Sequence, residues 1–101
     1  MIRRVAARDQ IPAGGILGLE VAETLLALYR IGDKVFATSD LCPHAGCLLS
    51  ETGDVSGNEV ECLCHGSRFE IDSGINTTPP STDPLETYPV ELRGDDVFVD
   101  L

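Results

Sequence analysis

Short apolar runs alternate with clusters of turn-forming residues along the whole chain. The clusters include "PAGG" at 12–15, "TGD" at 52–54, "SGN" at 56–58 and "DSG" at 72–74. Frequent turns between short runs rich in branched and aromatic residues are typical of a small all-β protein. We therefore predict a small antiparallel β-sandwich or barrel. Its predicted strands cover residues 3–7, 16–21, 25–31, 34–38, 59–62, 69–71, 88–92 and 97–101.

The segment "LLALYRIGDKVFATS" predicts a hairpin with Gly32 and Asp33 at the turn, since Gly-Asp is a favoured two-residue connection between strands. A helix is the alternative for the region just before it, because Val21, Leu25 and Leu28 also share one helical face. The turn and the "FATS" segment after it favour the strand.

A stiff loop is predicted near the C-terminus at "PPSTDP", residues 79–84. Its three prolines fix φ and remove backbone donors, so the segment cannot take part in a sheet ladder. It is either a simple connection to the last strands or a rigid lid over a site that excludes water.

Size and charge restrict the possible functions. A chain of 101 residues fits one domain, 1–101, and has no apolar run long enough to cross a membrane. The N-terminal residues lack the apolar segment of a secretory signal, so we expect a cytoplasmic protein with no membrane partner. The net charge of −10 argues against nucleic acid and anionic lipid as partners. It favours either a partner with a basic surface or simple solubility.

All four cysteines and both histidines lie between residues 42 and 69, in "CPHAGCLLSETGDVSGNEVECLCHGSRF". The pattern C-x-H-x17-C-x2-H offers one thiolate and one imidazole from each of two short loops. Structural zinc loops usually separate their ligands by two to four residues, so Cys-Pro-His is unusual for zinc. The spacing suits ligands that diverge to two neighbouring metals. A zinc site and a purely disulfide-stapled loop remain the alternatives.

The two segments "CPHAG" and "CLCHGSRF" resemble the cluster-binding loops of Rieske [2Fe–2S] proteins. The resemblance extends to "IGDKVFATSDLCPH" and to the tail "PPSTDPLETYPVEL", which is similar to the proline-rich loop and following strand of Rieske ferredoxins. It therefore covers nearly the whole chain. It implies the Rieske fold, which has a cluster-binding subdomain of two loops plus a proline-rich loop. The cluster-binding part of this chain is expected at about 40–70.

The resemblance also implies the cofactor and its ligands. It assigns one [2Fe–2S] cluster per chain, with Cys42 and Cys62 on the inner iron and His44 and His65 on the outer iron. Neutral imidazoles in place of two thiolates raise the potential to roughly −150 to +300 mV, from about −400 mV in plant-type ferredoxins. The surrounding residues implied by the resemblance are Gly46, Gly66, Ser67, Pro79 and Pro80.

Two further cysteines are not ligands in this resemblance. Cys47 and Cys64 match a pair that forms a disulfide in the high-potential Rieske proteins of respiratory and photosynthetic complexes. Ser67 matches a serine that bonds a cluster sulfide there. Phe69, in contrast, stands where that group commonly has a tyrosine. The alternative for Cys47 and Cys64 is a pair of buried thiols.

The implied function is that of a one-electron carrier rather than an enzyme. The chain has no dinucleotide fingerprint and, with both histidines assigned to the cluster, no facial triad. Similar Rieske ferredoxins take electrons from an NAD(P)H-dependent flavoprotein reductase and pass them to a terminal oxygenase that hydroxylates aromatic rings. We expect a monomer that docks through the exposed edges of His44 and His65. Ala45, Leu63 and Pro80 form an apolar rim, and Glu51 and Asp54 steer the encounter.

Other functions remain open at this point. They are a high-potential Rieske carrier, the small subunit of another redox enzyme such as an assimilatory nitrite reductase, and a zinc-binding interaction module.

Overall fold

The computed structural model describes residues 1–43, 46–64, 66–79 and 83–101. Within these ranges the chain is built almost entirely of short antiparallel strands, which confirms the predicted fold class. A 3-10 turn at Arg8–Gln10 and one helical turn, α1 at Leu49–Thr52, are the helical elements of the described part. The strands are β1 Ile2–Ala7, β2 Ile16–Val21, β3 Thr24–Ile31, β4 Lys34–Ser39, β5 Gly53–Ser56, β6 Glu59–Cys62, β7 Ser67–Glu70, β8 Asn76–Thr78, β9 Thr87–Tyr88, β10 Val90–Arg93 and β11 Asp96–Asp100.

Three sheets make up the fold. The first has the order β1-β11-β10, the second β2-β3-β4-β9 and the third β5-β6-β7-β8. One predicted cluster-binding loop connects β6 and β7 of the third sheet. The other loop connects β4 to α1, which is followed by β5 of the third sheet. The third sheet continues to Thr78. In the described part of the chain, no helix is long and apolar enough to cross a membrane.

Strand β3 is shared by the two hydrophobic cores. Ala27 and Tyr29 belong to the core that also contains Cys42 and Cys62, whereas Leu26 and Leu28 belong to the core that β1 and β11 cover. Successive side chains of a strand point to opposite faces, so one strand can supply both cores. This explains the continuous apolar run "LLALYRI", which had left the helical alternative open.

Two tight hairpins flank β3. The predicted turn at Gly32 is confirmed, because Ile31 pairs with Lys34 and Gly32 has a φ of 60°. The turn before β3 uses Ala22 and Glu23, with φ of 50° and 66°. These values lie in the left-handed region, which costs a residue with a Cβ about 1–2 kcal/mol.

Four details of the predicted secondary structure were wrong. The strand predicted at 88–92 is two strands, because Pro89 has no N–H to donate and the chain changes sheets there: β9 pairs with β4 and β10 pairs with β11. The "TGD" segment is not a turn, since Gly53 opens β5 and pairs with Cys62. The helical turn α1 and the three-residue strand β8 were not predicted at all. Both are too short to show a hydrophobic period.

Candidate metal centre

The predicted ligands Cys42 and Cys62 lie at the start of two neighbouring loops and are both buried. Cys42 is 2% exposed and Cys62 is fully buried, and both belong to the core cluster that includes Tyr29 and Phe69. Neither takes part in a disulfide. Two buried thiols on adjacent loops are the donors that a metal cluster held against an apolar core requires.

The two loops begin with the same backbone turn. In the first, the N–H of Gly46 donates to the carbonyl of Cys42 at 3.0 Å, and in the second the N–H of Gly66 donates to the carbonyl of Cys62 at 2.7 Å. Each glycine stands four residues after its cysteine and has a positive φ, 68° and 83°. A Cβ at Gly46 would meet no protein atom within 4 Å, so φ and not crowding by the protein requires glycine there. The sequence patterns C-x-H-x-G and C-x-x-H-G therefore build two matching turns.

The structure joins the two loops through a disulfide between Cys47 and Cys64, the pairing that the resemblance implies. Cys64 is exposed and Cys47 is partly buried, so the bond lies on the outer side of the loops. The sulfur atoms of Cys47, Cys62 and Cys64 lie within 4.8 Å of one another. Because two of these three sulfurs are bonded to each other, this group is not a separate metal site.

The remaining predicted site residues are only partly within the described structure. His44, His65, Ala45 and Pro80 lie outside the described residues. Ser67 is fully buried at the start of β7. Pro79 is exposed at the end of the third sheet, and Leu63, which directly follows Cys62, is 59% exposed.

A buried tyrosine supports the core behind the loops. The hydroxyl of Tyr29 lies 2.8 Å from the Thr38 hydroxyl, which itself donates to the carbonyl of Ser39. Tyr29 therefore donates and Thr38 accepts. Burial raises the pKa of Tyr29 far above its ordinary value of 10, because the charged phenolate would lose its contact with water.

Charge is distributed unevenly over the chain. Residues 40–86, which carry both loops, contain nine acidic residues and a single basic one, Arg68. Arg68 lies on β7 and makes ion pairs with Glu61 at 3.1 Å and Glu59 at 3.9 Å. These pairs are largely solvated and contribute little to stability. The negative charge of the protein is thus concentrated in the part that carries the site.

Sequence reasoning missed the residues that hold the first loop. Asp40 is buried and its carboxylate accepts two hydrogen bonds from Ser50, one from the backbone N–H and one from the hydroxyl. A signal was present, because Asp40 is an acidic residue directly between an apolar strand and a predicted ligand loop. The pattern alone does not connect it to a serine ten positions further on.

A comparison with protein families places this site in a known class. The model of the Rieske [2Fe-2S] domain matches residues 2–89. The chain belongs to the Rieske [2Fe–2S] family. Family membership confirms the resemblance and identifies the cofactor as a Rieske [2Fe–2S] cluster. Two buried thiols at the start of two matching loops fit such a cluster.

Ferredoxins of dioxygenase systems are similar to this chain over most of their length. The ferredoxin component of the naphthalene 1,2-dioxygenase system of Pseudomonas aeruginosa is 38% identical over 92 residues, which cover 91% of this chain and 88% of that protein. The ferredoxin component of the p-cumate 2,3-dioxygenase system of Pseudomonas putida is 38% identical over 98 residues, 96% of this chain and 83% of that protein. Such components carry electrons and are not catalytic subunits.

A solved structure supports the same classification. The ferredoxin of carbazole 1,9a-dioxygenase from Nocardioides aromaticivorans IC177 superimposes with a TM-score of 0.91 at 33% identity, covering 97% of this chain and 95% of that one. A further match is the ferredoxin in a complex of reduced oxygenase and oxidized ferredoxin of carbazole 1,9a-dioxygenase. It has a TM-score of 0.87 at 35% identity and covers 97% of this chain and 91% of that one.

Proposed function

We propose that this Rieske protein carries single electrons from an NAD(P)H-dependent flavoprotein reductase to a terminal oxygenase that hydroxylates aromatic rings. The observation that carries the proposal is the pair of matching backbone turns, each of which begins at a buried cysteine, Cys42 or Cys62. When bound, a Rieske cluster accepts and releases one electron at a potential of roughly −150 to +300 mV. The full-length similarity to dioxygenase ferredoxins supports the choice of partners.

The proposed ligands are Cys42 and Cys62 for one iron and His44 and His65 for the other. The two cysteines lie against the core, which excludes water from the thiolates. Gly46 and Gly66 turn the backbone after each cysteine, and the histidine of each loop falls between cysteine and glycine in the sequence. We expect Ser67 to donate a hydrogen bond to the cluster, Gly46 and Gly66 to shape the two turns around it, and Pro79 and Pro80 to shield it.

Negative charge around the loops supports docking to a basic partner surface. Glu51 and Asp54 are exposed on α1 and β5, next to the first loop, and Leu63 offers an exposed apolar side chain beside the second. Charges of this kind mainly raise the rate of encounter. A carrier that receives electrons from an NAD(P)H-dependent reductase works where that cofactor is present, so we also propose a cytoplasmic protein. We propose a monomer, because the carrier must dock with two partners in turn.

Redox titration of the purified protein, followed by absorption, circular dichroism and electron paramagnetic resonance, tests the proposal first. A single one-electron transition near −150 mV, with the spectra of a histidine-ligated cluster, is expected. Reduction by a dioxygenase reductase and NADH, followed by product formation with the oxygenase, tests the partners. A protein that binds zinc and shows no redox transition would falsify the proposal.

The disulfide favours a second candidate, a high-potential Rieske carrier. Cys47–Cys64 and the buried Ser67 are the features that the sequence resemblance connects with that group. A midpoint potential well above 0 mV would select this candidate. The reductase could then still reduce the cluster, but electrons held at that potential would no longer reduce the oxygenase efficiently, so product formation should fail.

A further inference from the structure

The helical turn α1 lies between the two cluster-binding loops and is hydrogen-bonded to both. At its beginning, the N–H of Leu49 donates to the carbonyl of Asp40 at 2.7 Å, at the base of the first loop. At its end, the carbonyl of Thr52 accepts from the N–H of Leu63 at 3.0 Å, and Leu63 directly follows Cys62 in the second loop. A movement of α1 would therefore change the distance between the two loops.

The side chain of Asp40 fixes α1 at its first turn. Its Oδ1 accepts the N–H of Ser50 at 2.7 Å and its Oδ2 accepts the Ser50 hydroxyl at 2.6 Å. The backbone N–H of Asp40 donates to the carbonyl of Leu25, which connects the same residue to β3. The residue is 3% exposed, and among the described residues no basic group lies within ion-pair distance of its carboxylate. Both of its oxygens are thus used to hold α1.

Strand β2 leaves room for this contact only because it has a glycine at position 18. A Cβ on Gly18 would lie 2.2 Å from the Ser50 hydroxyl oxygen and 2.9 Å from Oδ2 of Asp40. The φ of Gly18 is not positive, so close approach and not backbone conformation requires the glycine. The sheet, the carboxylate and α1 therefore form one closely packed joint.

We propose that Asp40 is a positioning residue that sets the spacing of the two cluster-binding loops through α1. The Cys47–Cys64 disulfide joins the loops on their exposed side, and the contact of Asp40 with α1 joins them on their buried side. This role of Asp40 rests on the proposed function in one respect, namely that the two loops bind a cluster. The joint is made by protein atoms alone, so it can be tested separately from the cluster.

Hydrogen exchange of the purified protein, followed by mass spectrometry, is the first test. In Asp40→Ala, the peptides covering Ser50 and Leu63 should both exchange about tenfold faster or more, since a charge-assisted hydrogen bond to a partly buried donor is lost. Asp40→Asn should restore most of the protection, because its amide oxygen still accepts the Ser50 N–H. Asp33→Ala removes a charge from an exposed turn and serves as the control.

The Leu63 peptide decides the outcome. If it keeps wild-type exchange in Asp40→Ala while the Ser50 peptide is faster, Asp40 acts only on α1 and the proposal is overturned. If Asp40→Ala unfolds as a whole, which fast exchange in β3 would show, the variant Ser50→Ala takes its place, because it removes only the hydroxyl hydrogen bond to Asp40. It should then accelerate exchange of the Leu63 peptide by a smaller factor, and wild-type exchange there would equally overturn the proposal.

Cluster release to an iron chelator gives the second test. We expect about tenfold faster loss of the visible absorption in Asp40→Ala and a rate close to wild type in Asp40→Asn. Fast release in both variants would show that the charge of Asp40 matters and its hydrogen bonds do not, which contradicts a positioning role. If the wild type holds no cluster, the proposed function fails, while the hydrogen-exchange test of Asp40 still gives its answer.

Discussion

Removing the disulfide that joins the two loops should lower the stability of the cluster-free protein substantially. The variant is Cys47→Ser/Cys64→Ser, which replaces both partners and leaves Cys42 and Cys62 unchanged. The bond connects residues 17 positions apart and lies on the outer side of the loops, with Cys64 exposed. Its loss therefore disturbs little packing, and the main effect is on the unfolded chain, which gains conformational freedom.

The magnitude follows from the length of the closed loop. A separation of 17 residues corresponds to about 3 kcal/mol in the chain-entropy description of disulfides. For a domain of this size, the same free energy lowers the melting temperature by roughly 12–15 °C.

Thermal unfolding of the cluster-free protein, followed by circular dichroism, measures the difference. The wild type should lose the same stability when a phosphine reductant is added, and the double variant should not respond to the reductant. Cys42→Ser/Cys62→Ser retains the disulfide and should still respond, which makes it the matched control. A double variant within about 1 kcal/mol of the oxidised wild type would refute the reasoning, because the entropy of the closed loop predicts about three times that value.

Three further predictions concern other parts of the molecule. Tyr29→Phe should cost about 1 kcal/mol of unfolding free energy in urea through the lost hydroxyl hydrogen bond. Because the folded state raises the pKa of Tyr29, the wild type should also lose stability as the pH rises above 10, and the variant should lack this part of the loss. Ala22→Asn/Glu23→Gly should stabilise the protein by about 1 kcal/mol in the same urea experiment, since both positions have left-handed backbone conformations. Glu51→Lys/Asp54→Lys should slow electron transfer to the oxygenase at low salt and weaken its dependence on ionic strength, as measured by stopped-flow absorption.

Each of these predictions has a clear contrary outcome. Equal pH dependence in wild type and Tyr29→Phe would mean that other groups cause the alkaline loss of stability. An unchanged or lower stability of Ala22→Asn/Glu23→Gly would show that the present turn is not strained. An unchanged salt dependence in Glu51→Lys/Asp54→Lys would remove both residues from the steering surface.

The sequence predicted the elements whose ends carry strong signals. The β3–β4 hairpin was predictable because Gly32-Asp33 separates two apolar runs, and the strands at 16–21 and 59–62 have the predicted bounds. The helix α1 is about one turn long and shows no helical period, and β8 reads "NTT" with no apolar residue that could alternate. The break at Pro89 was visible as a proline, but the change of sheet depends on which neighbours the two halves meet.

The site was predicted unevenly for a similar reason. Cysteine, histidine and glycine in the two loops form a compact pattern, so the resemblance could place them. The support behind the loops depends on contacts between distant segments. Gly18, Asp40 and Ser50 come from β2, the end of β4 and α1, and no local pattern connects them.

Strand β3 also determines how this protein could be redesigned. Because its alternate side chains face two separate cores, the segment 40–86 meets the rest of the fold mainly through the face that carries Ala27 and Tyr29. A cluster-binding segment from another Rieske protein could be grafted here by matching that one face, leaving Leu26, Leu28 and the N- and C-terminal strands unchanged. A one-residue shift of β3, in contrast, would exchange the side chains of both cores at once. Strand β3 thus offers one constant packing face on which cluster-binding segments of different redox potential could be exchanged.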